Sequence, residues 1–147
     1  MATPPIIASR GRSILGESFL PLLLRLLGWI CLGALIPLFM PLSALDSGHR
    51  LLGLGDFPTA PIAEYLARSV CSLSAFYGGL LLLLARDVRR YVTVIKYQAV
   101  AIMILSAVGI FAGMRAGVPA FFVIGDALGC WVFLVPVLIL AWRLNRQ

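Results

Sequence analysis

The chain has 147 residues, of which 61% are hydrophobic and 12% charged, with a net charge of +6 and a mean hydropathy of +1.02. Soluble domains hold roughly 45–50% apolar and about 25% charged residues, so a water-soluble fold is excluded and lipid has to be the solvent. The twelve Lys and Arg residues cluster at the ends of apolar runs, not along one polar face, which excludes a nucleic-acid partner and fits membrane topology.

Residues 1–18 include Pro4, Pro5, Arg10, Arg12 and Glu17 and read as a cytoplasmic tail. The first apolar run extends over residues 19–45 and is interrupted by Arg25. A cleaved signal peptide would have an apolar stretch of roughly 7–15 residues followed by small residues. This run is longer, and Leu42-Ser43-Ala44 is a poor cleavage site, so a retained helix is expected, with Pro37 and Pro41 as points of kinking or termination. Asp46 to Pro58 mixes glycines and charges with Leu51, Leu52, Leu54 and Phe57. It is too short to span, and a loop or short turn of helix on the membrane surface is expected.

Pro61 marks the start of a second helix, about 60–85, because a proline in the first turn removes an N–H that would have no partner there. A basic loop follows, with Arg86, Arg89, Arg90 and then Lys96. The third helix is expected at about 92–114 and the fourth at about 119–142. The connection from Arg115 to Pro119 is so short that these two form an antiparallel hairpin. Residues 143–147 make a second tail.

Four crossings of about 20 residues each use most of the chain. The expected class is all-α: one integral membrane four-helix bundle with a short interfacial segment between helices one and two. Nine cations fall on the side of the two tails and the basic loop, against Arg50, Arg68 and Arg115 on the other. The positive-inside rule then places both termini in the cytoplasm of a multi-pass protein of the cell inner membrane.

Lipid supplies no hydrophobic drive for helix association, so close backbone approach at small residues matters. Cys71, Ala75 and Gly79, then Gly109 and Gly113, then Gly125 and Gly129 recur at four-residue spacing on helices two, three and four. Each set shares one helical face and is expected to form a packing seam, within the bundle or between copies.

Charges within membrane helices are costly and face partners or cavities. Glu64, Arg68, Arg115 and Asp126 all fall near the outer side. Glu64 and Arg68 are four residues apart in the favourable order, and Asp126 is the deepest formal charge, about 10 Å into helix four. Two readings follow: a structural ion-pair cluster, or a shallow polar pocket in which Asp126 contacts a ligand or a proton. Other chemistry is sparse. His49 is the single histidine, and Cys31, Cys71 and Cys130 show no Cys-x-x-Cys spacing, so neither bis-histidine haem ligation nor a compact zinc site is expected. No metal, cofactor or catalytic set is assigned.

The stretches His49 to Gly55, Pro61 to Ser69 (with its Glu-Tyr-Leu-Ala-Arg-Ser run) and Asp87 to Tyr91, together with the later Gly113-Met114 and the acid after Gly125, resemble the BphX-like family of small bacterial membrane proteins. The resemblance covers most of residues 49–142. It implies a four-helix membrane fold and no particular activity. The leading functional expectation is a non-catalytic accessory or scaffold component whose partners are lipids, other membrane subunits or itself. The alternative is a carrier or binding protein for a small apolar or amphipathic molecule such as a quinone, a lipid or an aromatic compound.

Overall fold

The computed structural model describes the backbone of residues 7–144 and the side chains of residues 19–144. The side chains of Arg10, Arg12 and Glu17, and the tail beyond Leu144, lie outside the described residues. Among the described residues every regular element is helical. These are α1 (Ile7–Leu32), α2 (Leu35–Phe39), α3 (Leu42–Leu51), α4 (Pro61–Leu84), α5 (Val92–Arg115) and α6 (Ala120–Leu144). Four segments are long and apolar enough to cross a membrane: Phe19–Phe39, Pro61–Leu84, Val92–Arg115 and Ala120–Leu144. The protein is a multi-pass membrane four-helix bundle.

The first apolar run does not continue as one helix to Leu45. The α-helix breaks at Gly33 and Ala34, resumes as the short α2, and stops at Met40, whose φ of −66° and ψ of 146° are extended. Pro41 is the cause: its ring excludes the α conformation from the residue before it. The chain therefore leaves the first span at Phe39 and starts α3 at Leu42, earlier than the surface segment expected from Asp46. Gly53 and Gly55, with φ of 72° and 80°, take the left-handed turns that lead out of α3.

α1 packs along α4 and α6, α5 packs along α6, and α2 lies against α4. α4 and α5 scarcely touch although one short loop joins them. The core is concentrated at the basic-loop end, where Leu20 and Leu24 of α1 meet Leu81, Leu84, Ile95, Leu134 and Val137. Away from that end, burial among the described residues thins to Ala75 near the middle of α4 and Ala127 on α6. The bundle is thus tight at one end and open at the other, and the open half holds the charges singled out above.

The closest approach is between α1 and α4. A Cβ built on Gly78 would lie 2.6 Å from the carbonyl oxygen of Gly28 and 2.8 Å from the amide nitrogen of Leu32. The two backbones meet directly, as small residues allow in membrane bundles. Among the glycines of the expected seams, Gly113 faces Val123 at 2.9 Å, whereas Gly79, Gly109, Gly125 and Gly129 face open space. Those four make no seam within the bundle. Of the set on helix two, Ala75 is buried and Cys71 half-buried.

Candidate functional site

Glu64, Arg68, Arg115 and Asp126 do not form one cluster. Glu64 and Arg68 pair on α4, with Arg68 Nη2 2.8 Å and Nε 2.9 Å from Glu64 Oε1. The rest of the Arg68 guanidinium is turned to the break after α2: Nη1 donates to the carbonyl of Leu38, and Nη2 donates to that of Met40 at 3.1 Å. A helix end leaves carbonyls without intrahelical partners, and in a membrane each one needs a donor. Arg68 supplies these donors and clamps the end of the first span to α4. This is a structural role that the charge pattern showed only in part.

Arg115 stands on the α5–α6 turn, exposed, with its guanidinium 5.7 Å from the Phe111 ring centroid. It meets neither acid. Asp126 lies on α6, is exposed from the bundle, and makes no ion pair or hydrogen bond among the described residues. It lines a hollow of about 350 Å³ between α5 and α6, together with Ser106, Gly109, Gly113, Phe122 and Val123. The hollow exists because Gly109 offers no side chain to fill it and Gly113 lets Val123 come close below the turn. Glu64 and Asp126 stand on different helices, α4 and α6, that scarcely touch.

One polar contact near this hollow was missed in the sequence. Trp131 Nε1 donates to Ser106 Oγ at 2.7 Å, and Ser106 Oγ donates to the Met103 carbonyl at 2.9 Å. Nothing in the spacing around Ser106 marks it as a bonding partner. An indole N–H within a membrane bundle demands an acceptor, and that demand was the available signal. The bond ties α5 to α6 just below Asp126 and fixes the lower wall of the hollow.

The segment between the first two spans has its own polar network. Asp46 takes the Phe57 amide at 2.8 Å and Arg50 Nε at 3.0 Å, and Arg50 also reaches Asp56 at 3.3 Å. His49 Nδ1 donates to the Gly55 carbonyl at 2.9 Å and stands edge-on to Phe57. The Phe57 amide and Arg50 together hold the Asp46 carboxyl below its ordinary range. His49 and this network close a compact turn between the first two spans. Among the described residues no group of three His, Cys, Asp or Glu residues could hold a metal ion.

No family model, no curated protein and no solved structure matches the chain.

Proposed function

We propose that this protein binds a small amphipathic molecule in the hollow between α5 and α6, with Asp126 as the polar contact. The observation that supports this reading is an acid with no ion pair or hydrogen bond among the described residues, in a hollow that opens off the bundle. Placing a carboxylate there is costly, and this one is neither paired nor filled over. A volume of about 350 Å³ is at the small end of ligand sites, enough for one ring system or a short chain. A carboxylate accepts hydrogen bonds, so the complementary ligand is an apolar body carrying a donor, such as a quinol or phenol hydroxyl or an amine. An oxidised quinone offers only acceptors and fits less well. The setting is the cell inner membrane with both termini in the cytoplasm, which puts the hollow in the outer half. The BphX-like resemblance adds the four-helix frame to this reading and no activity.

The test compares a short-chain quinol, the corresponding quinone and a chain-matched amine as stabilisers of the purified protein in detergent. The quinol or the amine should raise the unfolding temperature, and the quinone should not. Asp126→Asn should weaken that binding about fivefold to tenfold while leaving the fold intact, since a neutral amide oxygen replaces a charged acceptor, and a charge-assisted hydrogen bond contributes about 1 kcal/mol more than a neutral one. A folded Asn variant that binds like wild type would end this reading.

A second reading, an accessory subunit, is favoured by the open faces of Gly125 and Gly129, which flank Asp126 on α6. A partner helix could seat there and bring a donor to the same carboxylate. In that case a stable membrane partner should co-purify in mild detergent and be lost on Gly129→Leu.

A further inference from the structure

A second groove, independent of Asp126, runs between α4 and α5. We infer that it seats one acyl chain of an anionic phospholipid whose phosphate rests on the basic loop that joins those helices. The groove has a volume of about 430 Å³ and an almost wholly apolar lining. Leu73, Phe76 and Tyr77 form one wall, Tyr97 and Ala101 the other, and Cys31 of α1 lies at its floor. It exists because consecutive helices that would ordinarily pack have their contacts elsewhere: α4 is committed to α1 through Gly78, and α5 to α6. Phe76 and Tyr97 are largely exposed from the bundle, so the opening faces the hydrocarbon.

The position of the groove favours a lipid over other occupants. Tyr97 is five residues into α5 and Tyr77 seven residues from the end of α4. At 1.5 Å per residue the groove begins about 8–10 Å from the loop, within the roughly 15 Å depth of one leaflet. A chain lying in it has its headgroup at the loop. That loop is strongly cationic. Arg86 and Arg90 are exposed and form no ion pair among the described residues, and Arg90 stacks over Tyr91 at 5.6 Å. Asp87, the one acid in the loop, is engaged by the Arg90 amide at 3.1 Å. An apolar groove that starts about 8–10 Å from a loop carrying two guanidiniums without ion pairs among the described residues matches an acyl chain joined through its glycerol to a phosphate.

The test is lipid retention by the full-length protein, read by native mass spectrometry during titration with phosphatidylglycerol or phosphatidylcholine of identical chains. Wild type should prefer phosphatidylglycerol. The Arg86→Gln/Arg90→Gln variant should lose about thirtyfold of that preference, roughly fivefold per cation. Ala101→Trp fills the groove and should reduce retention of both lipids. Where tryptophan prevents folding, Ala101→Leu and Ser74→Leu serve the same purpose. Equal retention of the two lipids by wild type would overturn the inference. So would unchanged phosphatidylglycerol binding in the folded filled-groove variants, or loss of a wild-type dimer in them, which would make the occupant a second copy. None of these outcomes depends on Asp126, so this inference and the hollow between α5 and α6 stand or fall separately.

Discussion

The two antiparallel helix pairs, α1–α4 and α5–α6, both contain glycines, and they use them in different ways. In the first pair Gly28 and Gly78 meet backbone to backbone, and the outer end is clamped by Arg68 on the carbonyls of Leu38 and Met40. In the second pair Gly113 meets Val123, while Gly109 is left open and a hollow with an unpaired acid results. The same residue type closes one seam and opens the other. What decides is whether the facing helix presents backbone or side chain at that level. One pair is built for tightness and the other keeps space.

The largest effect should come from Gly78→Val. Its Cβ would collide with backbone atoms of α1 that cannot rotate away, so the variant should lose about 3 kcal/mol or more in detergent unfolding. Gly79→Val, one residue on and facing open space, should change stability by no more than about 0.5 kcal/mol. The adjacent pair makes a strict control. Equal losses at both positions would mean that α1 and α4 do not pack in this register.

Next in size is Arg68→Met. It strands the carbonyls of Leu38 and Met40 in addition to Glu64 and should cost about 2 kcal/mol. Arg68→Lys keeps the charge but not the fork, and should recover only part of the loss. A Met variant as stable as wild type in thermal unfolding would show that the clamp contributes nothing and that the first pair is held by its glycines alone.

In the second pair, Gly113→Ala should cost about 1 kcal/mol, because the new methyl meets the branched Val123 at 2.9 Å. Gly109→Ala and Gly129→Ala meet nothing within 4 Å and should be neutral or slightly stabilising through helix propensity. A large loss at Gly129 in the purified monomer would contradict the open face assigned to it.

The contrast also shows which parts of the protein were legible in the amino acids. Four spans follow from length and hydropathy, since each is a predominantly apolar run of about 20 residues or more with few charges inside it. The seams were less readable. Four-residue spacing says which residues share a face but not which face turns inward. On α4 the inward row is Ala75 and Gly78, three apart, and Gly79 is rotated away by about 100°. Gly28 stands alone in a leucine-rich run and carried no spacing signal. The end of the first span was hidden because the residues beyond Pro41 stay apolar through Leu45. The rule that binds Met40 to an extended conformation holds the information that hydropathy lacks. At the site, the depth of Asp126 was visible, and so was the pairing of Glu64 with Arg68. The separation of the two was not, because it depends on where α4 and α6 sit across the bundle.

The smallest effect concerns the outer segment carried by the first pair. Asp46 is held below the ordinary carboxyl range by the Phe57 amide first and by Arg50. A carboxylate whose folded pKa lies below its unfolded value, near 4, favours the folded turn at all pH values above that point. The preference fades as the pH falls through the folded pKa. Acidification should therefore loosen the turn from Leu42 to Pro58 only below about pH 4, and leave α4 in place. The amide resonance of Phe57, followed by NMR in detergent micelles, should titrate with a midpoint under that of a free carboxyl, and Asp46→Asn should abolish the titration. A midpoint at or above the free value would mean that the Phe57 amide does not hold the carboxylate. The first pair would then be tight only through its spans, and its outer turn would be as unconstrained as the hollow of the second.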